Sequence, residues 1–138
     1  MIYRVADASV IAQWLLPAEF CPLQEKALQF REAFIEQHFT IVVPSLWCYE
    51  VGSLLTRFAP SQADELMYHC SKLGMLQVNP GQNLLRKTWQ LVRRYRVPFY
   101  SASYHALADS NRLELVTADK GYVDKVGYSS GIIYLADW

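Results

Sequence analysis

The stretch VPFYSASYHALADSNRLELVTADK, residues 97–120, decides the fold, because a helix, a short buried strand and a carboxylate follow one another in it without slack. Pro98 closes the helical pattern before it. Ser101 is placed to cap a new helix whose apolar members are Ala102, Tyr104, Ala106, Leu107 and Ala108, and residues 113–117 read as a strand. Asp119 stands just past that strand. In an open parallel sheet ligands gather beyond the carboxyl ends of the strands, so Asp119 is a site candidate.

The rest of the chain repeats the alternation. Residues 2–6 form a short apolar run broken by Arg4 and ending on Asp7; Val10, Ile11, Trp14 and Leu15 then fall at helical spacing until Pro17. Asp7 or Ser9 is placed to cap this helix, so Asp7 reads equally as a cap and as a site residue. Residues 22–36 predict an amphipathic helix, 41–43 a β-branched strand ended by Pro44, and 45–58 a third helix. A fourth helix covers 61–73, with Ser61 and Asp64 at approximate capping-box spacing and Gly74 at its end. A brief strand at 76–78 precedes the turn Asn79-Pro80-Gly81 and a fifth helix over 83–95, striped by Leu84, Leu85, Thr88, Leu91, Val92 and Tyr95. A single helical turn at 121–126 and a last strand at 131–135 complete the order. Five strands separated by helices predict an α/β three-layer sandwich: a central, mostly parallel five-stranded sheet with right-handed crossovers and helices on both faces. One domain over residues 1–138 is expected, since 138 residues with 52% apolar content bury one ordinary core.

Composition narrows the classes. No apolar run reaches the roughly 18 residues of a membrane span, and the N-terminus lacks the pattern of a secretory signal, so a cytoplasmic location is expected. Cys21, Cys48 and Cys70 are odd in number, match no metal-ligand spacing and fit buried thiols in a reducing compartment. The formal net charge of zero hides a segregation: residues 1–65 carry eight acids and four Lys/Arg, whereas residues 66–108 carry no acid and six Lys/Arg. Arg86, Lys87, Arg93, Arg94 and Arg96 supply five of those six. They read either as a solvated helix face or as a basic rim for a phosphate-bearing partner.

Leu46, Glu50 and Leu54 share one face of the third helix at i, i+4 and i+8, and the predicted face is apolar. A carboxylate there needs a partner, either Arg57 at i+7 or a backbone amide, or else it belongs to a site. Asp7 and Asp119 lie past strand ends on one edge of the predicted sheet, and Glu50, about one and a half turns into its helix, leans toward the same edge. Converging carboxylates repel one another, and Mg²⁺ or Mn²⁺ is the usual remedy. Such an oxygen-only site suits metal-assisted phosphodiester hydrolysis. A nucleophilic-aspartate phosphatase fits less well, because Asp7-Ala8-Ser9 lacks a second aspartate two residues on.

VADASVIAQWLLP (5–17), VPSLWCYEVGSLL (43–55), FYSASYHALA (99–108) and LVTADKGY (115–122) occur in an order and spacing that resemble the PIN-domain ribonucleases, and among them the short VapC-type toxins of prokaryotic toxin–antitoxin pairs. The resemblance implies a PIN-like fold and a Mg²⁺- or Mn²⁺-dependent endoribonuclease that hydrolyses RNA with a metal-activated water. Asp7, Glu50 and Asp119 would be metal-binding and catalytic, with Ser9 and Thr117 as hydroxyls near the metal. It also implies a homodimer and a small cognate antitoxin, with Trp14, Trp47, Phe58, Tyr68 or Trp89 as aromatic candidates for an interface. The family usually has Tyr-Asp-Ala where this chain has Tyr100-Ser101-Ala102. The serine removes a negative charge from the cluster, and Asp124 is a candidate substitute. The competing expectation is a PIN-like RNA- or protein-binding module with weakened or lost catalysis.

Overall fold

The structure is a computed structural model describing residues 1–127 and 131–138. Its elements are β1 (Tyr3–Ala6), α1 (Ala8–Leu15), a 3-10 turn (Ala18–Phe20), α2 (Gln24–Ile35), β2 (Thr40–Pro44), α3 (Trp47–Phe58), α4 (Ala63–Ser71), β3 (Leu76–Val78), α5 (Gln82–Tyr95), α6 (Phe99–Ser110), β4 (Glu114–Thr117), α7 (Lys120–Val126), β5 (Ile132–Tyr134) and a closing 3-10 turn (Leu135–Asp137). The strands form one five-stranded sheet in the order β3-β2-β1-β4-β5. Every pairing is parallel, with Val5 beside both Val42 and Leu115, and Thr117 beside Tyr134. Among the described residues no helix is long and apolar enough to cross a membrane.

This order places the candidate site. Chain connections leave β1 toward β2 on one side and β4 toward β5 on the other, so β1 and β4 are neighbours whose crossovers diverge. Right-handed crossovers then put α1 to α4 on one face and α5 to α7 on the opposite one. The carboxyl ends of β1 and β4 therefore open a crevice at the topological switch point, where open α/β sheets bind ligands. Asp7 and Asp119 are the residues there.

Strands buried on both faces have no reason to alternate, and β2 accordingly buries Ile41, Val42, Val43 and Pro44 in succession. The same logic holds for α6. Lying between α5 and the strands β1, β2 and β4, it buries all seven residues from Ala102 to Ala108, Ser103 and His105 among them. In α3 the buried row is Trp47, Val51 and Leu55, one position on from the expected Leu46, Glu50 and Leu54. Each of these buried side chains contributes about 1.5–3 kcal/mol of transfer free energy. Glu50 thus flanks the buried row, is only partly buried, and is the fourth residue of α3.

Several cap expectations are corrected. Ser101 does not cap α6: Pro98 occupies the N-cap and Ser101 is the third helical residue. Proline at the cap already sets an extended entry that ends the preceding helix. The Ser61/Asp64 capping box is absent, since α4 starts after Gln62 with no side-chain cap. Leu85 is exposed rather than packed, while Trp14 and Trp47 belong to the core and not to a surface. α5 ends at Arg96, held at φ 55, a left-handed conformation that turns the chain into Val97-Pro98 and α6. The Lys125 ammonium donates to the Arg96 carbonyl at 3.1 Å, tying this turn to α7.

Candidate functional site

Asp7 is the N-cap of α1 and is held through one of its two carboxylate oxygens. Its Oδ2 accepts from the Ser9 amide at 3.2 Å, the Ser9 hydroxyl at 2.5 Å and the Thr117 hydroxyl at 3.3 Å. That oxygen caps α1. Oδ1 takes no hydrogen bond among the described residues. The two hydroxyls are themselves fixed across the β1/β4 crevice, because Ser9 Oγ accepts from the Ala118 amide at 2.9 Å and Thr117 Oγ1 from the Asp119 amide at 3.1 Å. Asp119 divides its carboxylate in the same way: Oδ1 caps α7 by accepting from the Tyr122 amide at 3.1 Å.

The third carboxylate comes from α3. Glu50 Oε1 is buried without a hydrogen-bond partner, and so is the hydroxyl of Tyr104 on α6. The two groups are close enough for the phenol to favour the carboxylate's charge, yet their geometry falls short of a hydrogen bond. Burial first, then the charge of Asp7, push the Glu50 carboxyl up to about 7, with Asp119 adding to the rise and Tyr104 opposing it. Asp7 is also raised, by burial above all and by Asp119 in part, against the lowering effect of its Ser9 and Thr117 bonds. No Lys or Arg charge figures in either shift. Arg57, the local alternative for Glu50, is exposed and lies over the Phe58 ring at 5.0 Å.

The charge of Asp119 reaches Asp7, and those of Asp7 and Asp119 reach Glu50, a like-charge repulsion of the kind a hard cation relieves. Among the described residues no three His, Cys, Asp or Glu side chains converge as a preformed metal-binding group. The donor chemistry still fits Mg²⁺, which is commonly held by one or two carboxylates with water completing its shell. Oxygen-only donors, uncompensated charge and an orphaned buried carboxylate oxygen are the observations that carry this fit.

The accessory candidates separate. Ser9 and Thr117 are joined directly to Asp7. Ser101 lies one turn before Tyr104 on α6, the spacing that makes two helical residues neighbours, and its hydroxyl has no partner among the described residues. Asp124 instead pairs with Lys120 at 3.1 Å on the exposed side of α7. Of the basic residues, Lys87 is held by Asp109 at 2.6 Å, Arg94 lies over the Tyr95 ring at 5.1 Å, and Arg86, Arg93, Arg94 and Arg96 are exposed.

Two features escaped sequence reasoning. Tyr104 counted only as an apolar helix member, although its i+3 relation to Ser101 could have drawn attention to its hydroxyl. Beneath the site, His105 Nδ1 and the Tyr122 hydroxyl form a buried 2.7 Å hydrogen bond, and burial lowers the His105 pKa. Nothing local announces that pair, since its members are 17 residues apart.

No family model and no curated protein sequence matches the chain. Solved structures do. A toxin–antitoxin complex from Klebsiella pneumoniae aligns with a TM-score of 0.70 at 17% identity, covering 96% of this chain and 97% of that one. A Pyrobaculum aerophilum protein gives 0.68 at 21% identity over 98% and 92%. A Mycobacterium tuberculosis VapC toxin that cleaves the sarcin–ricin loop gives 0.66 at 13% identity over 87% and 92%. At these identities the likeness concerns the backbone, and the backbone of this chain is a VapC-like PIN-domain fold.

Proposed function

We propose that the protein is a Mg²⁺- or Mn²⁺-dependent endoribonuclease of the VapC type, with Asp7, Glu50 and Asp119 holding the cation. The observation that carries this reading is the mutual repulsion of three carboxylates at the switch point, with no Lys or Arg charge offsetting it on Asp7 or Glu50. A bound divalent ion would supply a Lewis acid for the phosphate and lower the pKa of a water molecule. The protein's part is positional. Ser9 and Thr117 hold Asp7 Oδ2, which aims Oδ1 away from the α1 cap, and the Tyr122 amide does the same for Asp119. Exposed Arg93, Arg94 and Arg96 supply charge for the RNA backbone, whereas Lys87 is committed to Asp109. A small antitoxin is proposed as a partner because a similar structure is a toxin–antitoxin complex; a second copy of the chain is proposed from the family resemblance of its motifs alone.

One observation favours a second reading, a binding module with weakened catalysis: Ser101 brings no charge to the cluster, and no preformed three-ligand group is present among the described residues. RNA cleavage in Mn²⁺ by a nuclease-free preparation separates the two. The enzyme reading expects cleavage that EDTA abolishes and that Asp7→Asn reduces at least about a hundredfold. RNA bound but uncut, or cut equally by Asp7→Asn, defeats it.

A further inference from the structure

Tyr49 and Tyr100 lie in the first turns of two different helices, α3 and α6, and are 72% and 49% exposed. Two other exposed rings have neighbours: Trp89 packs on Phe99 at 5.0 Å, and Tyr68 sits against His69 and beneath Lys72, whereas Tyr3, 41% exposed, lies on the first strand away from this helix pair. Neither Tyr49 nor Tyr100 has a ring or cation partner among the described residues. Both nevertheless line one groove of about 310 Å³, together with Ser53, Leu54 and the site residue Glu50. Two unpartnered aromatic faces opening on the same cleft as a candidate catalytic carboxylate are not accounted for by folding.

We propose that Tyr49 and Tyr100 form a stacking subsite for one unpaired nucleobase beside Glu50, so that the protein takes single-stranded RNA. The assignment of RNA rests on the nuclease reading above. The groove's volume is at the lower end of ligand clefts, about 300–1,000 Å³, and suits a base rather than a helix. Stacking on tyrosine needs an exposed π-face, which a base inside a duplex does not offer. Leu54 adds an apolar wall and Ser53 a hydroxyl for the base edge. Because every base has a π-face, this subsite selects strandedness more than sequence.

The test is fluorescence anisotropy of a short labelled uridine oligonucleotide with the full chain in EDTA at low salt, against an RNA duplex of equal length. Wild type binds the single strand more tightly than the duplex. Tyr49→Ala and Tyr100→Ala each weaken single-strand binding about tenfold, while Tyr49→Phe and Tyr100→Phe, which keep the ring, bind as wild type. Unchanged affinity in the double alanine variant overturns the proposal, as does equal affinity for the duplex or no single-strand binding at tens of micromolar. Loss of self-association in light scattering with single-strand affinity intact also overturns it, and assigns the rings to a protein interface. Cleavage plays no part in this measurement, so an absence of nuclease activity in Mn²⁺ refutes the earlier reading without deciding this one.

Discussion

Replacing Glu50 by glutamine is expected to stabilise the metal-free protein at pH 8. The folded-state pKa of about 7 exceeds the ordinary 4.5, so between those values the folded protein keeps a proton that the unfolded chain has released. Stability therefore falls as pH rises through that window, and above it the full penalty of a charged Glu50 is present. At about 1.4 kcal/mol per pH unit the ceiling is roughly 3 kcal/mol; partial exposure of the side chain to water reduces it to about 1–2 kcal/mol. Glutamine keeps the shape and removes the charge that burial above all, and then Asp7 and Asp119, oppose. Urea unfolding in EDTA should place Glu50→Gln above wild type at pH 8, with a melting temperature higher by about 3–8 °C, and the two should nearly coincide at pH 5. Excess Mn²⁺ should stabilise wild type more than the variant, by mass action on the folded state. A variant less stable than wild type at pH 8, or a difference independent of pH, would refute the argument that burial and like-charged neighbours penalise an ionised Glu50.

Ser101→Asp returns a carboxylate to the first turn of α6, and calorimetric titration should find tighter Mn²⁺ binding with faster RNA cleavage; no improvement in either, with the fold intact, removes serine as the limiting feature. Arg93→Glu with Arg94→Glu should weaken single-strand RNA binding and flatten its salt dependence, by about 0.7 in log–log slope for each phosphate no longer neutralised. Lys87→Gln should leave that slope unchanged, because Lys87 is tied to Asp109. Among the thiols, Cys48 alone is not fully buried, and burial pushes Cys70 up to about 12 and raises Cys21. Native protein should show one fast thiol toward a disulfide reagent at pH 8, absent in Cys48→Ala.

The strands and the two aspartates were legible because their signals are local: a short apolar run, then an acid, then a helical period, once at Val5 to Ile11 and again at Leu115 to Val123. Parallel pairing followed from helices filling every connection. The finer placement of Glu50 was not legible, since Leu46, Glu50, Leu54 and Trp47, Val51, Leu55 are rows of equal helical spacing, and only the packing of α3 on α1 selects the second. Ser101 offered a good cap by type, but Pro98 upstream already fixed the helix start. Tyr104 is instructive for a different reason. Its ring satisfies the apolar pattern while its hydroxyl faces Glu50 from another element, a relation that exists only once α6 has packed across the sheet.

Asp7, Glu50 and Asp119 are proposed to hold one cation at the β1/β4 switch point. Anomalous diffraction from crystals soaked in Mn²⁺ tests it without reference to activity. A single strong peak is expected within direct or water-mediated reach of Asp7 Oδ1, Asp119 and Glu50, absent from Asp7→Asn crystals soaked in the same way. A wild-type crystal whose manganese lies elsewhere, or a peak that persists unchanged in Asp7→Asn, contradicts it.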